Sequence, residues 1–248
     1  MKARVARFVS CFMLRVMNTL AFDTCFGACS VAATWRTPDG VAGAYRFEKL
    51  ERGHAERLTP MIGTVMAEAP FGFPEIARLV VTTGPGTFTG QRVGIAAVRA
   101  LALATGAPVG TLSSLAVMAY TTAHEIAAEI AGKVLAVAVD ARRGEIYFQA
   151  FAGPELAPLG PPELTTPQAA AISLGAYDTV AVGSGAELLA EAARGLGRSV
   201  AARLGALEPN VRFIPDGAVV PQVELPRPLY LRPPDAKPQD GAALTRVT

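Results

Sequence analysis

The sharpest local pattern in the chain is VVTTGPGTFTGQRVGIAAVRALA at residues 80–102. An apolar strand runs into a turn rich in glycine and threonine, and the turn opens a helix predicted over 91–105. The free amides and the dipole at such a helix start favour an anion. The alternative is a tight connection in which Gly84, Gly86 and Gly90 take positive φ. The turn matches neither GxGxxG nor a Walker loop, so the pattern leaves both interpretations open.

The same order of elements occurs on both sides of this stretch. In the first half, three strands form a predicted meander, and a helix and a buried strand follow it, at 19–23, 29–34, 41–48, 54–68 and 79–82. In the second half, helices and strands are predicted at 113–131, 133–140, 145–151, 179–182 and 186–195. In each half one strand ends in an acid, and a later strand runs into glycines that precede a helix.

This repeat predicts an α/β protein with two lobes, each a mixed sheet flanked by helices. It is the layout of the actin-like superfold (ASKHA, ribonuclease H-like), in which a nucleotide sits between the lobes. Residues 196–225 are broken by prolines and fit the pattern poorly. We expect an N-terminal extension at 1–16, a first lobe at 17–110, a second lobe at 111–225 and a C-terminal tail at 226–248.

The extension has the sequence MKARVARFVSCFMLRV, which carries four bases and no acid. Three interpretations of it stay open. It is a targeting segment, a peripheral amphipathic helix, or sequence upstream of a true start at Met17.

The charge of the chain argues against a protein that binds nucleic acid by itself, without a partner. The chain has 248 residues and a formal net charge of +2, from 23 Lys and Arg against 21 Asp and Glu. Because four of the bases lie in 1–16, the remainder holds 19 bases against 21 acids, a net charge of −2. A chain that grips nucleic acid by itself usually carries a basic stripe.

Histidine and cysteine are too sparse for a metal site or a disulfide framework. The two histidines, His54 and His124, lie too far apart for an HxxxH metal pair, and we expect His54 to be a surface or packing residue. The three cysteines form no CxxC pair and suit a reducing compartment, with Cys25 and Cys29 as small buried hydrophobes. No apolar run reaches the ~18 residues of a membrane span. We therefore expect a cytoplasmic protein with no metal, no cofactor and no membrane partner.

The strand ends and the glycine turn supply a candidate nucleotide or anion site, formed by Asp23, Thr24, Gly84, Gly86 and Thr87. A carboxylate at the position of Asp23 can hold hydrated magnesium, and its alternative role is to cap the following turn. In the second half, Asp140 with Arg142 and Arg143 forms either a polar cluster at the cleft or a salt bridge within a turn.

The helices predicted at 54–68 and 91–105 are strongly apolar. The first has an apolar stripe, and the second is apolar or small on nearly all sides. Such a helix is covered on every side, either by its own lobe or by a partner. The candidate partner-binding residues are Leu58, Met61, Ile62, Val65, Met66, Val93, Ala97, Val98 and Leu101.

Several segments resemble the TsaB (YeaZ) family. LAFDTCFGACSVA at 20–32 is similar to the family's opening, commonly I/L-A-I-D-T-S, with Cys25 at the usual serine. GPGTFTGQRVG at 84–94 resembles its GPGSFTGLRIG motif, and VDARRGEIY at 139–147 resembles its D-A-R-x-x-E-V-Y segment. VGSGAELL and PLYLRPPDA also fit, so that the resemblance extends over 17–236.

The resemblance implies a tRNA processing role, the formation of N6-threonylcarbamoyladenosine at position 37 of tRNAs that read ANN codons. It implies a non-catalytic scaffold and activator, with no catalytic residue in this chain. The implied partners are a TsaD-type catalytic subunit, a TsaE-type ATPase and a second copy of the chain, with tRNA held only through the complex. The stretch 110–117, GTLSSLAV, lacks the histidine pair that the catalytic paralogue carries there.

Two other functions compete with the scaffold. A stand-alone actin-like ATPase or kinase would need Asp23 and the glycine turns to hold Mg-nucleotide. The second-lobe turn, Gly183-Ser184-Gly185, is thin for an adenosine loop. An M22-type metallopeptidase is disfavoured by the histidine count.

Overall fold

The computed structural model describes residues 17–215, 218 and 220–232. The predictions for 1–16 and for 233–248 lie outside the described residues. None of the helices within the described part of the chain is long and apolar enough to span a membrane.

The elements follow the predicted order, with several additions. The strands are β1 (Thr19–Asp23), β2 (Ala28–Thr37), β3 (Gly40–Lys49), β4 (Arg78–Thr82), β5 (Val109–Leu112), β6 (Val134–Arg142), β7 (Glu145–Ala152), β8 (Ala157–Pro158), β9 (Glu163–Thr165), β10 (Thr179–Val182), β11 (Val200–Arg203) and β12 (Gln222–Val223). The helices are α1 (His54–Glu68), α2 (Phe88–Thr105), α3 (Ser114–Ile130), α4 (Pro167–Ser173) and α5 (Ala186–Gly195). Short 3₁₀ turns occur at Phe73–Glu75 and Val211–Phe213.

Two mixed sheets with the same core topology confirm the predicted fold class. The first sheet has the order β12-β5-β4-β1-β2-β3, with β1 antiparallel to β2 and parallel to β4. The second has the order β11-β10-β6-β7-β8, with β6 antiparallel to β7 and parallel to β10, and β9 pairs with β7. Each lobe therefore has the strand pattern of the actin-like fold, and the chain contains it twice.

The core of the first lobe forms where the apolar face of β1 packs against the apolar stripe of α1. Along β1, Leu20 and Phe22 point to one face of the sheet and are fully buried. The stripe of α1 that repeats every three or four residues, including Leu58 and Val65, packs on that face. On the opposite face, Ala21 packs in a smaller apolar cluster against α3.

The elements absent from the prediction are short. The strand β5 has four residues and directly follows Pro108, and β11 also has four. The helix α4 begins at Pro167, where the hydroxyl of Thr166 accepts a hydrogen bond from the amide of Ala169. A proline at the first helical position is favourable, since its missing N–H has no partner there anyway.

The predicted lobe boundaries differ from the structure at both ends of the second lobe. The strand β5 pairs with β4, so the first sheet extends past residue 110. After β11 the chain crosses back to the first lobe, where the Ser30 hydroxyl donates to the carbonyl of Pro209 at 3.1 Å. The strand β12 then joins the first sheet beside β5. Pro209 and β12 thus contact the first lobe, although they follow the second lobe in the chain.

Candidate interaction surface around the glycine loop

The glycine loop, residues 83–87, joins β4 to α2 and packs against the turn that follows β1. Gly84 has a φ of 114°, which favours glycine, whereas Gly86 and Gly90 have no positive φ. A Cβ atom at Gly86 would overlap the carbonyl of Cys25, and one at Gly90 would overlap the carbonyl of Thr24. The prediction of positive φ therefore holds only at Gly84, and close backbone contact requires glycine at the other two positions.

The start of α2 is capped by the chain itself. The hydroxyl of Thr87 accepts a hydrogen bond from the amide of Gly90 at 3.1 Å, which makes Thr87 the N-cap of α2. The amide of Thr87 donates to the carbonyl of Cys25 at 2.7 Å, and that of Gln91 donates to the carbonyl of Thr87. These donors are consequently not available to an anion.

The side chain of Gln91 fills the inside of the loop. Its Nε2 donates to the carbonyl of Gly86 at 2.9 Å. A Cβ atom at Gly84 would lie 2.7 Å from the Cδ atom of Gln91, and the glutamine is buried. The sequence analysis missed Gln91, although its position in the first turn of α2 places it beside the loop.

Asp23 is fully buried and closes on its own turn. The Thr82 hydroxyl donates to its Oδ2, and the amide of Cys25 donates to its Oδ1 at 3.1 Å. Burial raises the pKa of Asp23 to about 6, against the opposing effect of these hydrogen bonds. Of the two roles considered for Asp23, the capping role matches this geometry, because both oxygens already have protein donors.

A second carboxylate lies over the turn between β1 and β2. The amide of Gly27 donates to Oε2 of Glu208 at 3.0 Å, and a Cβ atom at Gly27 would be 2.7 Å from Oε1. Burial raises the pKa of Glu208, while the Gly27 amide and Lys49 oppose the shift. Gly27 is therefore needed for the approach of Glu208.

The structure does not form the nucleotide or anion cradle that was predicted from Asp23, Thr24, Gly84, Gly86 and Thr87. Thr24 is also committed, since its hydroxyl donates to the carbonyl of Gly90 at 2.7 Å. Within 17–215, 218 and 220–232, no group of three or more His, Cys, Asp and Glu side chains is placed to hold a metal ion. The residues of the predicted cradle instead hold the β1 turn against α2.

The remaining histidine and cysteine predictions concern packing. His54 is buried, and its Nε2 lies 2.9 Å from the carbonyl of Phe26. Cys25 and Cys29 are buried free thiols, as predicted, and burial raises the pKa of Cys29 to about 12. The thiol of Cys25 lies 3.3 Å from the Thr82 hydroxyl.

The C-terminal strap, residues 226–232, runs beside the glycine loop and α2. The amide of Leu229 donates to the carbonyl of Thr83 at 2.7 Å. The ring of Tyr230 stacks on Phe88 with 5.3 Å between centroids, and its hydroxyl accepts from Nε of Arg92 at 2.7 Å. The strap thereby covers one side of α2.

The strap also reaches the second lobe at the hairpin between β6 and β7. Arg232 donates to the carbonyl of Ala141 at 2.7 Å and pairs with Glu145 at 2.6 Å. In the hairpin turn, Asp140 accepts the amide of Arg142 at 2.7 Å and pairs with its exposed guanidinium at 3.4 Å. Of the two interpretations of the Asp140 cluster, the structure supports the salt bridge within a turn.

Comparison with known proteins gives relatives over about half of the chain. A family model described as TsaD, tRNA N6-adenosine threonylcarbamoyltransferase, matches residues 48–156. The tRNA threonylcarbamoyladenosine biosynthesis protein TsaB of Escherichia coli is 38% identical over 135 residues, 54% of this chain and 55% of that protein. TsaB of Haemophilus influenzae is 36% identical over 132 residues, 53% of this chain and 52% of that protein. The chain thus spans about half the length of the curated relatives it matches.

A solved structure extends the match to nearly the whole described fold. YeaZ from Pseudomonas aeruginosa is 28% identical, with a TM-score of 0.72 over 87% of this chain and 100% of that chain. The chain is similar to TsaB (YeaZ) proteins, in sequence over about half of its length and in fold over most of it. Three segments that resemble TsaB motifs, at 84–94, 139–147 and 228–232, meet around the strap in this structure.

The structure places most of the candidate partner-binding residues inside the first lobe. Six of them are buried in its core, at most 7% exposed, and cannot present their side chains to a partner: Leu58, Met61, Ile62, Val65, Met66 and Val98. The other three pack half-buried against the same core: Val93, Ala97 and Leu101. The apolar stripe of α1 therefore covers the sheet, and for these six residues the partner-binding assignment is replaced by a core role.

The outward side of the same two helices is exposed, and we call it the two-helix face. On α2 its small or apolar members are exposed, and Leu103 is 90% exposed. The exposed arginines of the same helix, Arg92 and Arg99, hydrogen-bond to the strap. Of the two alternatives for α2, complete cover by its own lobe is therefore wrong, and cover by a partner stays a prediction. The face is formed by Pro60, Gly63, Ala67, Ala96, Ala100, Leu103 and Ala104.

Helical spacing could have revealed this face. Ala96, Ala100 and Leu103 recur at intervals of three and four residues, as do Pro60, Gly63 and Ala67. Small residues give a weak hydrophobic signal, so the search for large apolar residues selected the buried stripes instead.

Proposed function

We propose that this chain is a non-catalytic scaffold and activator in the formation of N6-threonylcarbamoyladenosine at position 37 of ANN-decoding tRNAs. The relatives named as tRNA threonylcarbamoyladenosine biosynthesis proteins support the process. In this proposal the chain pairs with a TsaD-type catalytic subunit and a TsaE-type ATPase in the cytoplasm. A second copy of the chain competes for the same surface.

The two-helix face is the observation that carries the pairing. Gly63 lies in the interior of α1, and a Cβ atom there would meet nothing within 4 Å. An interior helical glycine costs about 0.5–1 kcal/mol relative to alanine, and no close contact within the described chain requires it. Close approach of a partner helix explains both this glycine and the exposed leucine at 103.

The closed glycine loop favours a scaffold over a stand-alone ATPase or kinase. Such an enzyme needs free amides and an open carboxylate for Mg-nucleotide. Here the side chain of Gln91 occupies the loop, both oxygens of Asp23 have donors, and Glu208 lies over the first turn. No observation favours the metallopeptidase.

Charge supports indirect contact with tRNA. The net charge of −2 after residue 16 gives little counterion release on binding a phosphate backbone. We therefore assign the main grip on tRNA to the partner subunits.

The test is complex formation with a TsaD-type subunit from the same source, measured by light scattering and by titration. We expect a stable 1:1 complex, and we expect Leu103→Glu to weaken it at least 100-fold, since a buried unpaired carboxylate is costly in an interface. Leu188→Glu is the matched control, because Leu188 is an exposed leucine on the corresponding helix α5 of the second lobe.

The same samples test the competing function. Formation of the modified nucleoside should require the TsaD-type subunit and fall with Leu103→Glu. Absence of any complex, together with Mg-ATP turnover by the isolated chain, would replace the scaffold with the ATPase.

A further inference from the structure

A cavity of about 230 Å³ lies on the first sheet, on the face away from α1 and α2. Its floor is apolar and comes from adjacent strands, with Ala21, Ala32 and Val80 side by side. Two arginines, Arg78 at the start of β4 and Arg212 from the segment that crosses back to the first lobe, also line it. No acidic side chain is among the described residues that line the cavity.

One donor of Arg78 is left without a partner at this cavity. Its Nε atom is buried and has no hydrogen-bond acceptor within the described part of the chain. Leaving a buried charged donor unpaired costs free energy, and native proteins rarely do so without a ligand, an ion or a water at the site. The orphaned donor therefore points to a missing acceptor.

Arg212 is held in place by a ring and not by a carboxylate. Its guanidinium carbon lies 3.7 Å from the centroid of Tyr45, and no salt bridge of Arg212 occurs among the described residues. Stacking on the face of a tyrosine orients the plane of the guanidinium and leaves its N–H groups at the edge free to donate.

The ligand chemistry follows from these three features. Guanidinium groups pair with the planar or tetrahedral oxygens of carboxylates and phosphates, often through two parallel hydrogen bonds. The apolar floor excludes a ligand that is polar throughout and favours one with an apolar body. The volume suits a molecule of about ten heavy atoms, below the usual range of drug-sized pockets.

We propose that this cavity binds a small organic anion, whose carboxylate or phosphate group pairs with Arg78 and Arg212 and whose apolar body lies on Ala21, Ala32 and Val80. The site is separate from the two-helix face and does not depend on the proposed role in tRNA modification.

The test is titration of the full chain with benzoate, phenyl phosphate and inorganic phosphate, followed by NMR or calorimetry at constant chloride. We expect benzoate or phenyl phosphate to bind with a Kd of about 1 mM, which suits a fragment of this size. The stronger of the two identifies the anionic group. Inorganic phosphate should bind at least tenfold more weakly, because it lacks the apolar body.

Three variants locate the site. Arg78→Met and Arg212→Met keep most of the aliphatic stem and should weaken binding at least tenfold, with melting temperatures that show a folded chain. Arg52→Met is the control, since Arg52 is an exposed arginine outside the cavity, and it should stay within twofold of the parent. Absence of binding up to 10 mM, equal binding of inorganic phosphate, or binding unchanged by either cavity variant would overturn the proposal.

Discussion

The connection after β4 and the connection after β10 occupy equivalent positions in the two lobes. In both lobes, nearby glycines lie in close contact with the backbone of a neighbouring hairpin. In the first lobe, Gly86 and Gly90 contact the backbone after β1. In the second, a Cβ atom at Gly183 would lie 2.5 Å from the carbonyl of Ala138, and the amide of Gly185 donates to that carbonyl at 3.0 Å. Both lobes thus use glycine for a close backbone contact, but the contacted carbonyls follow Asp23 in the first lobe and precede Asp140 in the second.

The helices that follow these connections differ in what they expose. The outward side of α5 carries charges at Glu187, Glu191 and Arg194. The outward side of α2 carries Ala96, Ala100 and Leu103, which is 90% exposed, and its exposed Arg92 and Arg99 hydrogen-bond to the strap. The exposed leucine of α5, Leu188, is 40% exposed. Glycine packing therefore maintains the fold of both lobes, whereas the outward sides of α2 and α5 differ in composition.

The largest stability effect is expected at the glycines themselves. Gly90→Ala forces a methyl group into the carbonyl of Thr24, and the backbone on both sides must move. We expect a loss of about 3 kcal/mol or more in the free energy of unfolding, measured by urea denaturation. Gly183→Ala should cost a similar amount, since it combines a close carbonyl with a φ of 93°.

The control for both glycine variants is Gly195→Ala at the end of α5, where a Cβ atom would meet nothing within 4 Å. A loss below about 1 kcal/mol for Gly90→Ala would contradict the view that close contact fixes this glycine.

The next largest effect concerns Asp23, the acid that ends β1, in comparison with Asp140, which lies near the end of β6. Burial raises the folded-state pKa of Asp23 to about 6, above the unfolded value of about 3.9. Between these values the native state binds more protons than the unfolded state, so stability falls as pH rises from about 4 to 6. The full effect is about 3 kcal/mol, and it levels off above pH 6.

Asp23→Asn should remove this slope, because the amide stays uncharged at every pH. The difference in unfolding free energy between parent and variant, measured from pH 4 to 7.5, isolates Asp23 from the contribution of Glu208. Asp140→Asn is the second-lobe control, and we expect only a small change in the free energy of unfolding there, since Asp140 is partly exposed and pairs with an exposed arginine. A flat difference for Asp23→Asn would show that the buried acid does not titrate in this range.

The long elements of both lobes were predictable from periodicity. The helix α1 has the predicted bounds, 54–68, and β1 has the predicted bounds, 19–23. Such segments carry enough apolar repeats to fix their type locally. By contrast, β5, β11 and α4 have only four to seven residues. The two strands form because they pair with a neighbouring strand, and the helix forms because Thr166 caps it.

The site was less predictable, for a physical reason. A hydrophobic period marks which residues are covered, and it does not say whether a sheet or another chain covers them. The sequence pattern of the α1 stripe that includes Leu58 and Val65 is therefore the same whether the stripe packs on its own sheet or on a partner. Gln91 and Glu208 were missed because their roles depend on contacts across the loop and between distant segments.

A smaller effect comes from the different starts of α2 and α5. The hydroxyl of Thr87 caps α2, whereas α5 begins at Gly185 with no side-chain cap. Thr87→Ala should lower the free energy of unfolding by about 1 kcal/mol, measured by thermal or urea denaturation. Thr87→Ser retains the oxygen and should stay within a few tenths of the parent. Equal losses in both variants would indicate that the lost methyl group, and not the cap, is responsible.

The smallest expected effect has the opposite sign and tests the two-helix face directly. Gly63→Ala removes backbone freedom from the unfolded chain, and its new methyl group meets nothing within 4 Å. We expect the isolated chain to gain about 0.5–1 kcal/mol, measured by urea denaturation. The larger Gly63→Leu should leave the isolated chain folded but weaken the complex with the TsaD-type subunit at least tenfold, because a close helix contact has no room for the side chain. If Gly63→Leu binds as tightly as the parent, the partner does not approach α1 at this position, and the face is limited to α2.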